Sequence, residues 1–234
     1  MSQLGDALLT ALQLVTSLDR ELAEIVVLSL RISLSAVALA VLIGMPLGAA
    51  LALARFPGRG VLVVLLNACM GLPPVVVGLF VYLMLSRAGP LGELGLLFTP
   101  TAMVIAQAIL VTPIIAALTR QTVEDLYAEY REQLQSLGVG ALRAIPTLLW
   151  DGRFSLVTAV LAGLGRAMAE VGAVIIVGGN INHVTRVMTT TIALETSKGY
   201  LALALGLGFV LLLLVVAMNA TLMLVQSAAR QTEG

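Results

Sequence analysis

Charge is scarce in this chain. Aspartate, glutamate, lysine and arginine make up 11% of its 234 residues, against roughly a quarter in soluble domains, so composition alone excludes a soluble globular protein. The few charges cancel to a net of zero, and no basic surface recommends nucleic acid as a partner. The one cysteine, Cys69, lies in an apolar run, which excludes an intrachain disulfide and a multi-cysteine metal site. Lys198 is the only lysine and has no glycine run before it. A phosphate loop of the form G-x-x-x-x-G-K-[ST] is therefore missing, and ATP is not bound by that device. The single histidine, His183, lies outside the apolar stretches, has no histidine or cysteine companion as a metal ligand, and gives no base to an intramembrane hydrolase. Residues 1–19 lack the basic start of a cleaved signal peptide, since the first cation is Arg20, and the N-terminus is expected to be retained.

What is abundant is apolar. Hydrophobic residues form 59% of the chain and mean hydropathy is +1.05. A membrane-crossing helix needs ~20 mainly apolar residues, and five segments qualify: Ile25–Ala54, Val61–Leu85, Pro100–Leu118, Phe154–Val177 and Leu201–Val225. The expected fold is an all-α membrane protein, one domain over residues 1–234, with about five transmembrane helices. Residues 3–20, interrupted by Asp6, are expected to add an N-terminal interfacial helix, with a sixth span as the alternative. Ile25–Ala54 exceeds the bilayer core at ~1.5 Å per residue, so a tilt or a kink at Pro46 is expected.

Cations set the orientation. Arg55, Arg59, Arg120, Arg131, Arg143, Arg153 and Arg230 fall in one set of alternate loops, against Arg20, Arg87, Arg186 and Lys198 in the other. The richer side is cytoplasmic, which places the N-terminus outside and the C-terminus inside the plasma membrane. The long polar stretch, about residues 120–153, then faces the cytoplasm. There Val123–Leu137 is expected to be helical with an apolar side of Leu126, Tyr127, Tyr130 and Leu134, ended by Gly138 and Gly140. Such a helix either seats in a groove of another protein or is an ordinary solvated loop helix.

Within the spans, Pro73-Pro74 and Pro113 are expected to interrupt their helices. Freed backbone groups at membrane depth need protein or a wet cavity, so these are either packing kinks or the lining of a polar solute path. Arg166 and Glu170, four apart, are expected to share a helix face and to pair. Intramembrane charges face protein or water; the pair either holds helices together or lines a gate.

The polar stretch resembles the cytoplasmic signature of permease subunits of binding-protein-dependent ABC importers: E-A-A, three residues, G, nine residues, I-x-L-P. Here Glu132-Gln133-Leu134 precede Gly138 at that spacing, while Leu148-Leu149-Trp150-Asp151 replaces the closing I-x-L-P. Leu72–Gln107 and Gly165–Ile181 are similar to molybdate and tungstate permeases, and Thr185–Gly199 is more similar to the tungstate branch. The resemblance covers most of residues 30–215. It implies a MetI-like permease importing an oxyanion, tungstate first, with molybdate or sulfate as alternatives. It also implies a homodimer in membrane lipid, two cytoplasmic ATPase subunits holding the ATP and Mg, and an extracytoplasmic substrate-binding protein; this chain itself would bind no cofactor. Tyr127, Tyr130, Glu132, Gln133, Leu134 and Gly138 would couple to the ATPase, and Pro73, Pro74, Thr112, Pro113, Arg166 and Glu170 would line the path or its gate. An ion-coupled secondary transporter would want intramembrane carboxylates and a repeated fold; only Glu170 answers.

Overall fold

The computed structural model describes Gln13 and residues 20–232, with the side chains of residue 222 and of residues 224–232 excepted. The expected interfacial helix over 3–20 falls, apart from Gln13 and Arg20, outside the described residues. Helices follow in the order α1 (Arg20–Leu53), α2 (Arg59–Met70), α3 (Pro74–Leu85), α4 (Pro100–Ser136), α5 (Ile145–Asp151), α6 (Arg153–Met168), α7 (Gly172–Gly178), α8 (Met188–Lys198) and α9 (Leu201–Thr232). Short 3-10 turns stand at Gly92–Leu94 and Ala141–Ala144. Among the described residues three helices, α1, α4 and α9, are each long and apolar enough to cross a membrane. Counting α2 with α3, and Ala141–Asp151 with α6, as bent pairs raises the number to five. The membrane-spanning, all-helical expectation holds, but two of the five crossings are broken rather than straight.

The breaks have local causes. Two successive prolines end α2, because a residue before proline is pushed out of the helical region. Pro73 is extended (φ −65°, ψ 122°), and Pro74 then opens α3, where a missing N–H costs nothing. The apolar run expected as Phe154–Val177 divides at residues 169–171 into α6 and α7. Pro46 and Pro113, by contrast, lie inside α1 and α4 without ending them. The expectation that Pro113 interrupts its span is therefore wrong.

The chain forms two compact units. Among the described residues, one comprises Gln13 and residues 20–35, 73–107 and 168–218; the other comprises 36–72, 108–167 and 219–232. In the first, α3 lies against α7 through glycine: a Cβ added to Gly78 would stand 2.7 Å from Ala173 Cα. Leu22, Ile25, Met188 and Leu207 form a second apolar cluster in that unit. A buried hydroxyl in lipid needs a partner within the protein, and Ser29 has two. Ser29 Oγ accepts from the Met188 N–H at 2.8 Å and donates to Ile25 O at 2.7 Å, so that one side chain closes the start of α8 onto α1.

In the second unit, the Ala36–Leu53 part of α1 lies on α4 through Gly44 and Gly48. A Cβ on Gly48 would sit 2.2 Å from Ala116 O, a separation that no residue but glycine tolerates. Val37, Ala40, Val111, Ile115 and Ala167 pack beside that contact. Small residues at a close backbone approach are how helices associate in lipid, where burial against apolar solvent gives no advantage.

Candidate functional site

The segment expected to couple to a partner begins as a continuation of a long apolar helix. After Leu118 the chain becomes polar, but Gln, Glu, Leu, Ala and Arg are helix formers, and no glycine or proline intervenes before Gly138. The helix therefore runs on for 37 residues as α4. The expected separate helix over Val123–Leu137 is the C-terminal half of this rod.

Its apolar side is already occupied. Thr112, Ala116 and Thr119 meet the glycines of α1, and the same stripe continues through Val123, Tyr127, Tyr130 and Leu134 at helical spacing. Leu126, Tyr127, Tyr130 and Leu134 pack on a core of Ala49, Ala52, Leu53, Val123, Ala144 and Leu148. Tyr127, Tyr130 and Leu134 thus face the end of α1 and the start of α5. Glu132, Gln133 and Gly138 are exposed, and so is Leu137, at 76%.

Gly138 ends the helix in a left-handed conformation, φ 69°. Its N–H donates to Gln135 O at 3.0 Å, and the Val139 N–H reaches back to Leu134 O at 2.9 Å. That is the Schellman arrangement, with Val139 and Leu134 both packed on the core above. The chain then turns through Ala141–Ala144 into α5, where Pro146 occupies the first turn. Leu142 and Trp150 stay exposed, at 59% and 72%.

A charged knot ties this segment to α1. Arg59 Nε donates to Leu51 O at 2.7 Å and its Nη2 to Ala52 O at 3.1 Å, satisfying carbonyls that the end of α1 leaves open. The same guanidinium and that of Arg120 both engage the Glu124 carboxylate. Arg59 and Glu124 are about one-third exposed, so their pair contributes position more than stability. The sequence carries no signal for it, since Arg59 and Glu124 are 65 residues apart.

The six residues expected to line a path or gate fall in different units. Pro73, Pro74 and Glu170 belong to the first unit, and Thr112, Pro113 and Arg166 to the second. Pro73 is exposed and Pro74 half-buried at the α2–α3 break. The Thr112 hydroxyl donates to Ala108 O at 2.7 Å within α4. Arg166 and Glu170 do not share a helix face, because α6 ends at Met168; each nonetheless has an interaction partner. Glu170, 3% exposed, accepts from the Ala173 N–H at 3.0 Å, as a capping carboxylate does at a helix start. Its backbone carbonyl accepts from Thr189 Oγ1 at 2.8 Å. One residue thereby joins α7 to α8. Arg31, the only charge between Glu24 and Arg55, is legible as a cation inside the first apolar run and belongs to neither candidate set.

No family model matches the chain. It is 40% identical over 204 residues to a probable anion ABC transporter permease protein of Haloferax volcanii, covering 85% of this chain and 88% of that one. It is 39% identical over 222 residues to the tungstate uptake system permease protein TupB of Peptoclostridium acidaminophilum, covering 95% and 97%. The chain belongs to the ABC transporter permeases for anions. The molybdenum transport system permease protein ModB of Escherichia coli is 29% identical over 175 residues, 70% of this chain and 75% of that one. As an ABC permease the chain is a multi-pass membrane subunit of an importer. It is not itself the ATPase, and ATPase and binding-protein subunits are its partners.

Proposed function

We propose that this permease passes tungstate into the cell, as one of two identical copies flanking a common path, with two ATPase subunits on the cytoplasmic face. The observation that carries the substrate is the 39% identity to a tungstate uptake permease along 95% of the chain. The loop cations support an outward N-terminus and an inward C-terminus. An extracytoplasmic binding protein delivers the anion and does most of the selecting, because tungstate, molybdate and sulfate share charge and tetrahedral shape. Pro73, Pro74, Thr112, Pro113, Arg166 and Glu170 contribute to the path or its gate, Glu170 through its hold on α7 and α8. ATP and Mg stay with the ATPase.

The ATPase meets the far end of α4. Glu132, Gln133, Leu137 and Gly138 are exposed there, which supports contact through this edge. Tyr127, Tyr130 and Leu134, packed on α1 and α5, transmit the push inward instead of seating in the partner. Arg59, Glu124 and Arg120 carry it on to the end of α1. ATP-driven closure of the partner then shifts the balance between outward- and inward-open forms.

Elemental mass spectrometry tests the substrate. Cells lacking the gene, supplied with nanomolar tungstate and molybdate, are expected to lose tungsten selectively and to regain it on complementation. Selective loss of molybdenum would move the substrate to molybdate, and no change in either would remove the oxyanion. The coupling edge is tested by Gly138→Val. A β-branched residue at φ 69° costs ~1–2 kcal/mol of local strain, while its Cβ meets nothing within 4 Å. Membrane abundance should hold, with uptake lost and ATP hydrolysis no longer tied to it; normal uptake would remove the edge from the coupling path.

A further inference from the structure

At the N-terminal end of α1 the first unit holds an open pocket of about 450 Å3, whose walls include Arg20, Glu21, Glu24, Arg31, His183 and Arg186. Most of its charges are matched. Arg186 meets Glu21 at 3.2 Å, Arg20 meets Glu24 at 3.3 Å, and His183 Nδ1 lies 2.9 Å from the same Glu24 carboxylate. Arg31 is different: exposed, it has no ion pair or hydrogen bond among the described residues. Three guanidiniums thus line the pocket with two carboxylates, and the excess positive charge is the one on Arg31.

The helix explains how a cation persists inside an apolar run. Arg20, Glu24, Arg31 and Ser35 recur at intervals of four and seven residues, a single face of α1. All four are exposed, whereas Ser29 and Ser33, on the other side, are buried. A charge at membrane depth must face water or protein, and this stripe leads from the helix end through the pocket to Arg31. Among the described residues its guanidinium donors have no partner, and their fork fits two oxygens of a tetrahedral oxyanion. Arg20 and Arg186, closed on carboxylates, have fewer donors to offer.

We propose that Arg31 is the cation of an entry vestibule, a weak site at which a tetrahedral oxyanion exchanges water for guanidinium before crossing. The proposal rests on the anion-permease reading above and adds the residue that makes first contact in this chain. A single exposed arginine gives brief residence, as a conduit needs.

The test uses the assembled transporter with its binding protein, in a Cys69→Ser background. Val27→Cys places a thiol in the pocket wall at a position 62% exposed. An anionic methanethiosulfonate should modify it faster than a cationic one, and adding Arg31→Gln should lower that rate ratio about tenfold at low salt. Tungstate should protect the thiol while Arg31 is present. Per assembled transporter, Arg31→Gln should also reduce tungstate uptake about tenfold at sub-saturating supply, with Arg31→Lys retaining most of it. Absence of tungstate protection in the chain that keeps Arg31 overturns the proposal whatever the variants do. So does full uptake by Arg31→Gln with an unchanged rate ratio, the behaviour of an arginine that merely reaches the lipid headgroups. Failure of the permease reading would look different: uptake of neither tungstate nor molybdate by the unmodified protein.

Discussion

Proline meets two opposite fates in this molecule. Pro113 lies inside an unbroken α4, while Pro73 and Pro74 separate α2 from α3. A lone proline in a helix removes one backbone donor and crowds the carbonyl four residues back. Around Pro113 the helix is held: Gly44 and Gly48 bring the α1 backbone against it, and an added Cβ on Gly44 would lie 3.0 Å from Thr112 O. At residues 73 and 74 the doubled proline takes Pro73 itself out of the helical region. The preceding α2 buries only Leu66, so little packing opposes the break. Packing on one side and doubling on the other decide the outcome, and the bare presence of proline decides neither.

The sharpest way to break this comparison is to remove the clamp. Gly48→Leu forces atoms into a gap where even a Cβ stands 2.2 Å from Ala116 O, an overpacking cost of about 3 kcal/mol or more. Detergent-extracted protein should lose its monodisperse size-exclusion peak; a normal peak would show that α1 and α4 do not rely on this contact. Next in size is Pro73→Ala combined with Pro74→Ala, which frees α2 and α3 to merge. Spin labels at the exposed positions 65 and 79 should approach the ~21 Å of a continuous helix, and uptake should fall while folded yield holds. An unchanged distance would assign the break to the surroundings. The smallest effect belongs to Pro113→Ala. It restores one hydrogen bond in a helix already straight enough to pack, and the thermal midpoint should move by no more than about 1 kcal/mol allows. Uptake should still fall at that nearly unchanged stability, as the proposed place of Pro113 in the path or gate requires; full uptake would remove it from that set.

How much of this was legible follows from which signals are local. Hydropathy marked the apolar runs, Pro73-Pro74 marked a break, and Gly138 marked a helix end through its left-handed backbone. The continuity of α4 was hidden, because the change from apolar to charged at Arg120 records where lipid gives way to water, and backbone structure does not follow that boundary. The stripe of Tyr127, Tyr130 and Leu134 was visible as amphipathic, but a helical period says that a face is buried without saying against what. Arg166 and Glu170 looked like neighbours on a helix. Glu170 lies past the end of α6 and caps α7 through the Ala173 N–H, a role that depends on a helix end no periodicity revealed. The Arg59–Glu124 contact depends on the whole fold of its unit and could not be read at all.

The unbroken passage of α4 from Thr112 to Leu134 makes the segment a matter of phase. The residues that receive the α1 glycines and those that pack on the core around Ala49 and Leu148 lie on one stripe of one rod, with no loop between them to absorb a change of length. Each inserted residue would turn everything beyond it by ~100°. A single insertion between Thr119 and Val123 would therefore swing Tyr127 and Leu134 off their core, whereas seven residues, close to two full turns, would bring them back in step. This rod can be lengthened without loss of register only in whole turns, like a gear that accepts new teeth only by the set.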